Sequence, residues 1–148
     1  MEPVLLIVLG HFIAAVLFYL NHRFIFHGRL GNLKFLKPWK KVHTMHHKHD
    51  YTSQWKKYAL IPWWGWAGLS SICFVIGFLT DPLFGVGIFS YILSYEIIHY
   101  YLHKYPKKKN LLNQFHHYHH RKEPKKNFAT FWIFIDRMFK THKGGKAK

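Results

Sequence analysis

The stretch Leu83-Phe-Gly-Val-Gly-Ile-Phe-Ser-Tyr-Ile-Leu-Ser-Tyr-Glu96-Ile-Ile-His99-Tyr-Tyr-Leu-His103 decides how this chain folds. A bilayer-spanning helix needs about 20 mostly apolar residues. This run supplies them from Leu83 to about Leu102 and ends in two histidines one helical turn apart. Upstream, Tyr58 to about Leu79 reads as a second span, entered through Ile61-Pro-Trp-Trp-Gly-Trp66, whose indole rings suit a headgroup interface. The tight turn Thr80-Asp81-Pro82 joins the two. A third apolar run, Pro3 to Leu20, opens the chain.

Charge supports the same division. The net charge is +16, a balance that suggests nucleic acid or an anionic membrane surface. Of 22 Lys and Arg residues, nine fall in 22–57 and thirteen in 104–148; none falls in 1–21 or 58–103. Segregation of that kind fits membrane spans and argues against a nucleic-acid binder. The positive-inside rule then puts Met1 outside and the segments 22–57 and 104–148, ending at Lys148, in the cytosol. The expected fold is all-α: one integral membrane domain over 1–148, with spans about 3–20, 58–79 and 83–102 and a cytosolic, histidine-rich helical cap. The host membrane would be the cytoplasmic membrane in a bacterium or the endoplasmic reticulum in a eukaryote. Met-Glu-Pro at the start, without a basic region or a small-residue cleavage site, does not read as a cleaved signal. The single cysteine, Cys73, lies within a span, so no disulfide within the chain is expected.

Ten histidines occur in four groups: His22-Arg-Phe-Ile-Phe-His27, His43-Thr-Met-His46-His47, His99-Tyr-Tyr-Leu-His103, and His116-His-Tyr-His119-His120. Residues three and four apart share a helix face, so His43, His46 and His47 face one way, as do His116, His119 and His120. His22 and His27, five apart, lie roughly 140° apart on an ideal helix. They need a bend or a helix end, or they serve different metals. Neutral imidazole is the commonest side-chain ligand of transition metals, and the topology brings all four groups to one membrane face. Ten rings divide into five for each of two metals, leaving one open position on each octahedral ion for O2 or water. A carboxylate-bridged di-iron bundle would carry paired Glu-X-X-His motifs, which this sequence lacks.

Together these groups resemble the fatty acid hydroxylase / sterol desaturase superfamily of membrane di-metal oxygenases. The pattern is most like the catalytic domain of fatty acid 2-hydroxylases. Asn127-Phe-Ala-Thr-Phe-Trp-Ile-Phe-Ile-Asp-Arg-Met-Phe139 adds to the likeness, which covers roughly Asn21 to His142. The resemblance implies O2-dependent hydroxylation of a membrane lipid acyl chain at two iron ions, with zinc able to replace iron in a purified sample. It implies the ten histidines as ligands: His22, His27, His43, His46, His47, His99, His103, His116, His119 and His120. No cytochrome b5 domain is evident, so a separate electron donor of cytochrome b5 or ferredoxin type is expected. Fewer spans than in larger relatives leave the roof of the substrate tunnel undefined. Carotenoid hydroxylases share the HX4H and HXXHH groups, and His27-Gly28 looks like theirs. Their third group is usually HX4H, whereas His99 to His103 is HX3H. A carotenoid or sterol-type hydroxylase or desaturase is therefore the sibling reading, and a histidine-rich membrane metal-binding protein is the alternative of another class. Transport would set ligands at mid-membrane depth, where only His11 lies.

Two acids stand where they could accept the outer ring N–H of a ligand. Glu96 is the one acid inside a span and shares a face with His99 and His103. Asp136 follows an aromatic helix, Phe131-Trp-Ile-Phe-Ile, and could instead pair with Arg137 or Lys140. His117 points off the face of its group, His49 and His142 read as solvated, and His11 reads as a hydrogen-bonded helix–helix contact.

Overall fold

The computed structural model describes residues 2–50 and 52–144. Met1 and Lys148, the termini expected outside and inside, and the tail from residue 145 onward lie outside the described residues. Helix α1 runs Pro3–Asn21 and continues as a π-helical turn, His22–Phe26. A 3-10 turn, Leu30–Asn32, precedes α2, Lys37–His49. Then come α3, Trp55–Ala59; α4, Trp63–Leu79; α5, Pro82–Lys104; α6, Leu111–Arg121; and α7, Ile133–Met138. No strand occurs among the described residues.

Three helical stretches are long and apolar enough to cross a membrane: Pro3–Phe26, Trp55–Leu79 and Pro82–Lys104. They correspond to the three expected runs, but the first extends through the π turn. The second starts earlier and breaks at Leu60-Ile61-Pro62 between α3 and α4, where proline cannot donate the helical hydrogen bond. The entry to α5 is fixed by sequence. Asp81 caps it, accepting from the Leu83 N–H at 2.8 Å, and Pro82 occupies the first turn.

Helix α5 packs against both α1 and α4. Glycines let the backbones meet. A Cβ on Gly87 would lie 2.2 Å from the Ile7 carbonyl oxygen of α1, and one on Gly85 would lie 2.9 Å from Gly77 Cα of α4. Such small-residue crossings are how helices associate in lipid, where no hydrophobic driving force acts between them. Above the crossings Ala14, Ala15, Tyr19, Ile88, Tyr91 and Tyr95 form the core. Outward faces are apolar, as lipid contact requires, with Val4, Leu17, Phe74, Phe78 and Ile97 exposed.

Residues 127–141 fold back along α1 and α5. The Phe131 ring packs on Tyr91 at 5.5 Å, Trp132 lies 5.6 Å from His11, and Phe134 stacks on Phe12 at 6.1 Å. The run from Phe128 to Ile135 carries no charge, so it packs against these apolar helices without burying an ion.

Candidate metal centre

The histidine-bearing ends of α1, α2, α5 and α6 converge, and with them all ten grouped histidines. They fall into two sets of five: His22, His27, His43, His47 and His119, and His46, His99, His103, His116 and His120. Within each set one nitrogen per ring lies within 4.8 Å of all the others. The HXXHH spacing explains the allocation. In α2 the pair His43 and His47, one turn apart, serves the first set while His46 serves the second. In α6 the roles reverse: His116 and His120 serve the second set and His119 the first.

His22 and His27 belong to the same set, with ring centroids 5.1 Å apart. The π turn between them makes this possible. The His27 N–H donates to the His22 carbonyl at 3.1 Å, an i to i+5 bond. A π turn takes in one more residue than an α turn, so a residue five on returns toward the same face.

Nε2 is the inward atom. In the first set Nε2 separations are 3.2 Å for His22–His43, 2.8 Å for His43–His27 and 3.0 Å for His47–His43. In the second they are 3.2 Å for His46–His120, 3.2 Å for His103–His99 and 2.8 Å for His116–His103. The outer nitrogens are committed elsewhere. His22 Nδ1 donates to the Phe128 carbonyl (2.7 Å), His99 Nδ1 to Ala59 (3.0 Å) and His119 Nδ1 to Lys126 (2.7 Å). Such bonds fix the tautomer that bares Nε2. His119 Nε2 is buried without a hydrogen-bond partner. His103 Nδ1 lies against the Asp50 carboxylate, and its Nε2 meets the bare Nε2 of His99. A cation reconciles that arrangement. Ring nitrogens at right angles around an ion with bonds of about 2.0–2.1 Å stand roughly 3 Å apart, which matches the separations found.

Burial, reinforced by neighbouring imidazoles, holds His43, His46, His116, His119 and His120 well below the ordinary histidine value. Burial lowers His47 to about 3 and His27 to about 4. Neutral rings are the form a metal requires.

Of the two acids singled out from sequence, neither touches a grouped histidine. Glu96 Oε1 accepts from the Ile61 N–H at 2.8 Å and the Trp66 Nε1–H at 3.4 Å. It secures the break between α3 and α4, beside the Ala59 carbonyl that orients His99. Asp136 does not pair with Arg137 or Lys140. It accepts from the Phe128 and Ala129 N–H groups at 2.8 and 2.9 Å and from Thr141 Oγ1 at 2.8 Å, so its hold on His22 is indirect, through Phe128. The acid that does meet the rings is Asp50. Its buried carboxylate lies in ion-pair contact with His103 Nδ1, and His120 Nδ1 stands 3.5 Å from its second oxygen. The sequence carried a signal: Asp50 is the only acid in 22–57 and lies four residues after His46. His117 joins neither set and donates to the Leu102 carbonyl at 3.2 Å. His142 is not solvated, since its ring packs on Phe115 at 4.7 Å. His11 meets Ser90 Oγ at 2.9 Å, and His49 stacks on Tyr58 at 4.7 Å.

The sequence model of one family, described as fatty acid hydroxylase, matches residues 7–141. This chain belongs to the fatty acid hydroxylase family. No curated protein and no solved structure matches it. The histidine sets fit a fatty acid hydroxylase-like role, and the fold offers such an enzyme a place for an apolar chain. A cavity of about 300 Å³ lies between α1, α2, α4 and α5. Phe18, Ile25, Leu36, Val42, Leu69, Ile72 and Ile92 line it, and His43, His46 and His99 form part of its wall.

Proposed function

We propose that this chain hydroxylates an acyl chain of a membrane lipid, in the manner of a fatty acid 2-hydroxylase. Two iron ions are held five-to-five by the ten histidines. Electrons come from a separate protein of cytochrome b5 or ferredoxin type. The observation that carries the reading is the apolar cavity that reaches both histidine sets at once, through His43 and through His46 and His99. Iron bound there would activate O2 and oxidise an unactivated C–H bond, with two electrons and two protons supplied from outside and water as the second product. The chain's own residues position and exclude. Phe18, Leu69 and Ile92 hold the acyl chain and keep water away, while Ala59, Phe128, Lys126 and Asp50 hold the rings. The basic segments support a cytosolic position for this face of one membrane domain, with the N-terminus opposite.

The experiment is lipid mass spectrometry of membranes with and without the protein, supplied with iron, O2, a reductant and a donor protein. An acyl product heavier by one oxygen, formed only with all components, is the expected result. Oxidation of a carotenoid or sterol alone would move the assignment to that branch. If acyl, carotenoid and sterol substrates all stay unoxidised while metal is bound, the chain is a metal-binding protein.

A further inference from the structure

We propose that residues 127–141 form a re-entrant loop that dips into the bilayer beside α1 and anchors the histidine face to lipid. The loop leaves and returns at one place. The Asn127 N–H donates to the Thr141 carbonyl at 3.0 Å, and the Asn127 side chain bonds the Lys143 N–H and carbonyl at 2.8 and 2.7 Å. Positive φ angles at Asn127, Thr130 and Lys140 turn the chain at both ends of the excursion.

Its depth can be read from two helices independently. Trp132 and Phe134 meet His11 and Phe12, which lie eleven and ten residues before His22. Phe131 meets Tyr91, eight residues before His99. At 1.5 Å per residue the tip stands about 12–16 Å from the histidine level, a large part of one leaflet's share of a core of about 30 Å. Both helices are candidate spans.

Irregular backbone survives in hydrocarbon only where its polar groups are satisfied by protein. One buried acid meets that condition for much of the loop's backbone, while the Trp132 indole N–H is buried without a partner. The Asp136 carboxylate takes the Phe128 and Ala129 N–H groups and the Thr141 hydroxyl, while the Phe131, Trp132 and Ile135 N–H groups donate within the loop. The outward side presents Phe134 (39% exposed), Phe139 (40%) and Met138 (64%), with the exposed charges Arg137 and Lys140 confined to its returning end. Lys125 and Lys126 precede the loop, Lys143 follows it and Lys140 lies at its returning end, so basic residues flank both its ends. The loop also carries the Phe128 carbonyl that fixes His22, and Tyr19 OH meets Thr141 Oγ1 at 2.9 Å. Lipid burial of the loop does not depend on the chemistry at the histidines.

The test is spin labelling in reconstituted vesicles. The full chain carries Cys73→Ser, with Phe134→Cys labelled and with Lys125→Cys and Phe78→Cys as aqueous and lipid references. At position 134 the label should collide with O2 more than with a water-soluble nickel chelate, as at position 78. Chelate accessibility equal to that at position 125 would overturn the loop's burial. Because Phe134→Cys removes the stacking on Phe12, a second measurement uses the unaltered chain. An apolar diazirine dissolved in the lipid is photolysed and its adducts are mapped. Adducts at Phe134, Met138 or Phe139 are expected; adducts on α4 with none in 131–139 would overturn it.

Discussion

His47 and His120 stack face to face, ring centroids 4.1 Å apart and 14° from parallel, across the boundary between the two histidine sets. Each ring is therefore both a candidate ligand of one set and packing for the other. His47→Ala and His120→Ala should each abolish hydroxylation and lower bound metal in metal analysis of purified protein. His117→Ala should keep activity, at a cost of about 1–3 kcal/mol for the Leu102 carbonyl left bare. If His117→Ala is as inactive as His120→Ala, the two-set ligand list must be redrawn.

Asp50 links α2 to rings on α5 and α6. Asp50→Asn should weaken metal binding or activity by about 10–100-fold, the usual effect of losing an outer partner of a ligand histidine. Glu96→Gln, which touches no grouped ring, should leave metal content near normal. Equal metal loss in both variants would count against a specific role for Asp50.

Metal-stripped protein should lose stability in acid. His27 and His47 have folded values of about 4 and about 3, below the ordinary 6.5 expected on unfolding. Below that ordinary value the unfolded chain binds more protons, so stability rises with pH there. The contribution is full above about pH 6.5 and drains away as pH falls toward 3. Thermal unfolding in detergent at stepped pH checks this, and a melting temperature unchanged from pH 7 to pH 4 would contradict it.

Gly87→Ala should destabilise by about 1–3 kcal/mol, the usual cost of overpacking, because the new Cβ meets backbone of α1. Gly68→Ala, with nothing within 4 Å, is the matched control and should be neutral. The comparison is made by thermal unfolding, with hydroxylation assayed on the same samples.

Much of this molecule is legible in its sequence. Apolar run length gives the three long helices, and the i, i+3, i+4 spacing gives the ligand faces of α2 and α6. How the rings divide between two sets is not legible, because His46 and His119 are assigned by which helix lies opposite, a tertiary fact. His22 and His27 need a π turn that no spacing rule announces. Glu96 was read as a partner of histidines because it shares their helix, but the broken backbone at Ile61 lies nearer and offers it a free N–H. The packing of the uncharged run from Phe128 to Ile135 along the helices is also a tertiary fact, which the lysines on either side of it do not announce.

The crossed use of α2 and α6 has a consequence for assembly. Neither helix can be placed for one set of rings without being placed for the other. A first ion bound by His43, His47 and His119 would clamp α2 against α6 and so prealign His46, His116 and His120. Loading of the second ion would then be favoured by the first, and the half-filled protein would be a sparse species on the way from empty to full.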